Sequence, residues 1–349
     1  MSNKHFCTIY MTLANRTRAR NTRRITPRIE IAMKTKLFAG TLALCNVFAA
    51  QAADYPTRPI RYVVAFPPGG VNDAIARILS QRMSDAFGVA VIVDNRPGAG
   101  GNLGSELVAK AAPDGHTLLN ISTAQAISQS LYAKLGYNLE RDLTPVILLA
   151  TSPLIVAINP GVNARSVRDL VAVSKVKPVR FSSGGIGTIS HLSGEMLSRA
   201  VGFEAIHVPY KGGGPAAIDL ISGQVQMMIN AVTDIAPAVK AGRMRAVGAM
   251  AEKRHPQLPD VATLPEQGYK DFVLNNWVGI VAPAGTPKDR VQRLYTEVAR
   301  IMKEPEVADR VIAYAFDSAV APPEQFGKHI RAEVQRFAKA VKESGARAE

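Results

Sequence analysis

The sequence predicts an α/β protein of two domains joined by crossing strands, and three observations carry that expectation. From Tyr55 onward, short Val-, Ile- and Leu-rich runs alternate with stretches of helical spacing, as in mostly parallel sheets covered by helices on both faces. Turns rich in Gly, Ser and Asn close several of these runs, at the strand ends where open α/β sheets bind ligands. Two apolar runs, Leu154–Ile158 and Val273–Ala282, are placed to leave one α/β series and return to it. The expected division is therefore residues 54–155 plus 277–349 in one domain and 156–276 in the other.

The stretch Arg61-Tyr-Val-Val-Ala-Phe-Pro-Pro-Gly-Gly-Val-Asn-Asp73 organises the first series. Its apolar start reads as a buried strand over Ile60–Phe66, which Pro67, Pro68, Gly69 and Gly70 stop before a helix over Val71–Phe87. The unpaired N–H groups and dipole of such a helix favour an anion. Val89–Asp94 and His116–Ser122 follow as strands, Asn102–Ala111 and Ala124–Tyr132 as helices, and Leu143–Leu149 as a further apolar run. The second series starts at Ser166–Val176 and continues with Val179–Ser183 (strand), Thr188–Val201 (helix) and Ala205–Val208 (strand). It continues with Gly214–Ser222 (helix), Val225–Asn230 (strand), Thr233–Ala241 (helix) and Arg245–Met250 (strand). Two amphipathic helices, Thr286–Met302 and Pro322–Val341, close the chain.

Composition narrows the function. With 349 residues, 47% of them hydrophobic, the chain can bury a sizeable core. The net charge of +14 suggests nucleic acid, yet residues 1–53 hold nine Lys/Arg against one acid, Glu30, and so carry more than half of it. The remaining bases alternate with acids, as in Arg331-Ala-Glu333, and form no basic stripe, so no nucleic-acid partner is expected. Met33-Lys-Thr-Lys36, the apolar Leu37–Ala50 and Ala50-Gln-Ala52 have the layout of a secretory signal over residues 33–53. Residues 1–32 then read as a spurious extension upstream of a start at Met33. Both cysteines, Cys7 and Cys45, fall in the part expected to be absent, leaving no disulfide and no thiolate nucleophile or metal ligand.

Four strand-end turns are candidate site elements: Phe66 to Asp73, Ser122-Thr123, Ser182-Ser-Gly-Gly-Ile-Gly-Thr-Ile-Ser190, and Asn230. Glycines let backbone amides approach a ligand, and Ser, Thr and Asn supply adaptable donors. At the start of the first helix Asn72 is expected as a cap, with Asp73 as cap or dipole partner. Asn95-Arg-Pro-Gly-Ala-Gly-Gly-Asn-Leu-Gly104 lacks G-x-G-x-x-G spacing, and Tyr210-Lys-Gly-Gly-Gly-Pro215 is no Walker A. No G-x-S-x-G or H-E-x-x-H occurs, and His191 and His207 sit beside apolar residues as core histidines do. No catalytic residue, metal or cofactor is expected.

Several segments carry a family resemblance in order: Tyr55-Pro-Thr-Arg-Pro-Ile60, Val64-Ala-Phe-Pro-Pro-Gly-Gly70, Asp94-Asn-Arg-Pro-Gly-Ala-Gly-Gly-Asn102, Pro113-Asp-Gly-His-Thr-Leu118, His207-Val-Pro-Tyr-Lys-Gly212 and Ala282-Pro-Ala-Gly-Thr-Pro287. The chain thereby resembles the tripartite tricarboxylate transporter solute receptors, also called Bug proteins. The resemblance implies a type II periplasmic-binding-protein-like fold, a monomer in the periplasm, and membrane transporter subunits as partners. It implies a small organic acid held by Phe66, Pro67, Pro68, Gly69, Gly70, Asn72 and Asp73 on one side. Ser183, Gly184 and Thr188 would lie on the other, with Ser122 and Thr123 on the floor and Asn230 at the fourth turn. Asn230 stands where relatives often have Asp, and Ile189 where a hydroxyl is common, so an aromatic or branched monocarboxylate is expected. The alternatives are an exported α/β enzyme, with Ser190 and His191 as its pair, and a ligand sensor for a two-component kinase.

Overall fold

A computed structural model describes residues 55–270, 272–314 and 316–348. The expected signal segment, its cleavage site and both cysteines lie outside these residues.

The first series is β1 (Ile60–Val64), α1 (Val71–Phe87), β2 (Val91–Asn95), α2 (Asn102–Ala109), β3 (Thr117–Ser122), α3 (Thr123–Leu131) and the long β4 (Leu143–Ile158). The second is α4 (Asp169–Ser174), β5 (Val179–Ser183), α5 (Ile189–Val201), β6 (Ala205–Pro209), α6 (Gly213–Ile221), β7 (Met227–Ala231), α7 (Val232–Lys240) and β8 (Arg245–Ala249). The chain then returns through β9 (Asn275–Pro283), α8 (Lys288–Ile301), α9 (Pro305–Ala313), β10 (Asp317–Ala321) and α10 (Pro323–Ser344).

β1 lies between β2 and β3, parallel to both, and β9 runs antiparallel to β3 and to β4. The strand order β2-β1-β3-β9-β4-β7-β5-β6 is continuous because β4 serves two sheets. Its residues up to Pro153 pair with β9, while Leu154–Ile158 pair with β7 and β8. Three backbone bonds knot the changeover. Leu154 N–H donates to the Leu274 carbonyl (3.3 Å), Leu274 N–H to Met250 (3.0 Å), and Met250 N–H back to Leu154 (2.8 Å). This is the mixed α/β, periplasmic-binding-protein-like architecture with crossing strands that the sequence predicts.

The hydrophobic pattern explains the layers. Ile75, Leu79 and Met83 of α1 and Leu294 and Val298 of α8 recur at helical spacing and are buried with Tyr62, Val278 and Ile280 on one face of the first sheet. On the other face a single cluster runs from Leu119 and Trp277 through Leu154 to Phe181 and Leu192, so apolar packing crosses the changeover without a break. Trp277 is fully buried, edge-on to Phe326 with ring centroids 5.7 Å apart, and its Nε1 donates to Glu333 (3.2 Å). Gly279 lets α10 approach this closely, because a Cβ there would overlap the Phe326 ring.

Three local expectations differ. Leu143–Leu149 and Leu154–Ile158 are one strand, not two. Proline lacks an N–H to donate, and β4 accommodates Pro145 at a register shift and Pro153 at the changeover of partners. The helix α9 opens on Pro305 at its first turn and was not expected between the two closing helices. Nor was β10, whose Asp-Ser-Ala-Val-Ala sequence lacks apolar alternation and becomes a strand only by pairing with β4.

Candidate functional site

The turn after β1 is built by one carboxylate. Asp73 accepts hydrogen bonds from the Gly69 N–H, Arg77 Nε and Asn95 Nδ2, each at 2.9 Å, and Asn95 Nδ2 also reaches the Phe66 carbonyl (3.1 Å). Burial by itself would raise this carboxyl, but the bonds from Arg77, Gly69 and Asn95 outweigh it and hold Asp73 below the usual carboxylate range. Gly69 has φ +85°, which a residue with a Cβ rarely adopts. The cap of α1 is Gly70, and neither Asn72 nor Asp73 caps the helix through its side chain, contrary to expectation. Asp73 is committed to shaping the turn. Asn72 has a buried Oδ1 with no hydrogen-bond partner.

The second turn is a capping box. Ser122 caps α3, its N–H donating to Gln125 Oε1 (2.9 Å) while its Oγ accepts from the Ala124 N–H (3.4 Å). Thr123 ties this turn to β9: its Oγ1 donates to Asn276 Oδ1 (3.0 Å) and accepts from the Trp277 N–H (3.0 Å).

In the third turn Thr188 caps α5, accepting from the His191 N–H (3.3 Å) and donating to the Gly185 carbonyl (2.7 Å). Beneath the loop, His191 and His207 stack with ring centroids 3.8 Å apart and planes 17° from parallel. His191 Nδ1 accepts from the Gly187 N–H (3.0 Å), and His207 Nε2 lies 2.6 Å from Ser183 Oγ. Burial drives both imidazoles down to about 4, with the neighbouring His191 adding to the effect on His207. Both nitrogens are neutral structural acceptors or donors at neutral pH. Gly187 has φ +75° and faces α3 so closely that a Cβ would overlap the Leu131 side chain.

These three turns meet around a cavity of about 320 Å³. Of the residues predicted for the site, Phe66, Asn72, Ser122, Thr123 and Thr188 line it. Gly100, Ile127, Ser128, Leu131, Tyr132, Ile186, Gly187, Ile189 and Asn276 complete most of the wall. Among the described residues, no Lys, Arg, His, Asp or Glu lines it.

The other predicted residues stand elsewhere. Pro67, Pro68, Gly69 and Gly70 are exposed and outside the cavity lining, and Asp73 is occupied by its three donors. Ser183 is wholly buried under its loop against His207, and Gly184 packs against Gly212 and Gly213. Asn230 faces the start of α6, its Nδ2 standing 3.0 Å from where a Gly213 Cβ would be. Tertiary packing took these eight residues out of the cavity lining while leaving them in or beside the predicted turns. Ser190 and His191 share no hydrogen bond: Ser190 Oγ meets Thr188 Oγ1 (2.9 Å) and the Gly184 N–H (3.2 Å). Asn276 and Tyr132 carried no sequence signal. Gly100 lies in the Asp94–Asn102 motif, which carries the family resemblance but no site assignment, and Ile189 stands out as an apolar replacement.

A two-sheet α/β fold with opposed strand-end turns around one cavity defines the periplasmic solute-binding class. Residues 75–346 match the tripartite tricarboxylate transporter family receptor, and the chain belongs to that family. It is 38% identical over 324 residues to a protein from the tcbD-tcbE intergenic region of Pseudomonas sp. strain P51, covering 92% of this chain and 94% of that one. It is 34% identical to BugT of Bordetella pertussis, over 88% and 95% of the two chains. Among solved structures it is similar to an R. palustris protein with adipate (31% identity, TM-score 0.72, 84% of this chain and 99% of that one). It is also similar to MatC of Rhodopseudomonas palustris with bound malate (30% identity, TM-score 0.68, 82% and 100% of the chains).

Proposed function

We propose that this chain is an exported periplasmic receptor that binds a small organic carboxylate between two lobes and presents it to the membrane subunits of a tripartite tricarboxylate-type transporter. The lobes are residues 54–155 plus 277–349 and residues 156–276. The observation that carries the reading is the meeting of turns from both lobes, at Phe66 and Asn72, Ser122-Thr123 and Thr188, around one cavity whose described lining holds no Lys, Arg, His, Asp or Glu. In such a site a carboxylate is met by hydroxyls, amides and the N–H groups of the first turns of α1 and α3, which favour negative charge without a lysine or arginine. The partner switch at Leu154, with its bonds to Leu274 and Met250, supports a hinge there.

Binding in this reading is closure: the acid gains contacts to the second lobe only when Thr188 and Ile189 come over Thr123, so differential affinity favours the closed state. No step of chemistry is required. The structures of relatives with adipate and malate support an organic acid as the ligand class. Residues Phe66, Asn72, Ser122, Thr123, Thr188 and Asn276 are the proposed contacts, with Pro67–Gly70, Asp73, Ser183, Gly184 and Asn230 holding the turns in place. Mass spectrometry of small molecules released from the purified protein should identify an unchanged organic acid at one equivalent. A liganded crystal with the acid lodged elsewhere and this cavity empty would refute the site.

A further inference from the structure

Thr123, Ile127 and Leu131 line the cavity at four-residue steps and so form one face of α3. At 1.5 Å per residue, Ile127 lies about 6 Å and Leu131 about 12 Å beyond Thr123 along the helix axis. The wall therefore changes character along one direction. Its start holds Ser122, Thr123 and Asn276, linked through the Thr123–Asn276 bond of 3.0 Å. Its far end is Leu131, against which Gly187 closes, bringing Ile186 and Ile189 of the same loop to that end.

We infer that the cavity takes a monocarboxylate with an apolar body, its charge at the Ser122–Thr123–Asn276 end and its carbon skeleton along Ile127 and Leu131 under Ile186 and Ile189. This rests on the carboxylate-receptor reading and specifies its ligand. An acid as long as adipate would place a second carboxylate among these four aliphatic side chains. Among the described residues no Lys, Arg or His lines the cavity to meet it, and a carboxylate there would exchange part of its hydration for aliphatic neighbours, which disfavours it. The neutral hydroxyls of Ser128 and Tyr132 can serve an uncharged polar substituent on the skeleton. The position of Asn230 outside the lining removes it from this selection, whereas Ile189 keeps the part its apolar character suggested.

The test compares six-carbon chains that differ only in their end groups, with one cyclic monocarboxylate beside them. Hexanoate, cyclohexanecarboxylate, adipate and hexanol are titrated against the mature protein, with thermal shift and the fluorescence of Trp277 as readouts. The expected result is that hexanoate or cyclohexanecarboxylate binds at least tenfold more tightly than adipate, and that hexanol gives no shift. Ile186→Arg, at a side chain exposed enough to carry charge without unfolding the loop, should narrow the hexanoate-to-adipate ratio at least tenfold by supplying the missing counter-charge. Adipate binding as tightly as hexanoate, or an unchanged ratio in Ile186→Arg, overturns the inference and leaves the receptor reading intact. Equal binding of hexanol and hexanoate, or no response to any of the acids, overturns the carboxylate reading itself.

Discussion

Lowering the pH from 8 to 5 should destabilise the folded chain through the stacked pair His191–His207 beneath the loop after β5. Burial holds both imidazoles at about 4, against an unfolded value near 6.5. Below pH 6.5 the unfolded chain therefore binds protons that the folded chain refuses. The stability these groups contribute is present above about 6.5 and is lost as the pH falls toward about 4. For His191, 5% exposed, the 1.5 units between 6.5 and 5 correspond to about 2 kcal/mol. His207 is half-buried and stacks on the same ring, so its share adds less than a second full increment. Protonating His191 Nδ1 also removes the acceptor of the Gly187 N–H, which loosens the loop that carries Thr188. His255 and His329 are shifted the same way by burial, whereas the raised carboxyls of Glu195, Asp234 and Glu333 act in the opposite direction. The informative quantity is thus a difference between proteins. Unfolding free energies from urea titrations followed by Trp277 fluorescence should fall between pH 8 and 5 by at least about 2 kcal/mol less in His191→Gln/His207→Gln than in the native chain. Identical acid limbs in the two proteins would refute the reasoning.

Four further outcomes follow from the turns. Gly187→Ala should fold but lose most ligand-induced thermal stabilisation, because its Cβ meets Leu131; adding Leu131→Ala should restore part of it, as a double-mutant cycle would read. Thr123→Val leaves the buried Trp277 N–H and Asn276 Oδ1 without their partner and should cost about 1–3 kcal/mol in chemical denaturation, with weakened ligand binding. Gly69→Ala should destabilise by roughly 1 kcal/mol because φ +85° is strained for alanine. Gly70→Ala, at φ −78° with its nearest atom 3.7 Å away, avoids that backbone strain and should lose only the modest preference of an N-cap for Gly over Ala, a fall in melting temperature smaller than that of Gly69→Ala.

What the sequence determined by itself was local. Apolar runs bounded by Gly and Pro located β1, α1, β5 and α5 to within a residue or two, since strand and helix periodicities and the φ > 0 turns at Gly69 and Gly187 depend on near neighbours along the chain. It ended a strand at Ser122 and began a helix at Thr188, but it did not show that both hydroxyls cap the helices that follow. Tertiary structure decided which of these turn residues face one another. Asn276 reaches Thr123 only because β9 pairs antiparallel with β3, setting Ser122 opposite Val278. His191 and His207 stack only because β5 and β6 are parallel neighbours with α5 laid over them. Asp73, Ser183 and Asn230 carry groups that could serve a ligand, but neighbouring donors engage Asp73, a buried imidazole engages Ser183, and Asn230 turns its Oδ1 to the Ala231 N–H. Register and layer packing are collective properties of residues far apart in the chain, and no local pattern specifies them.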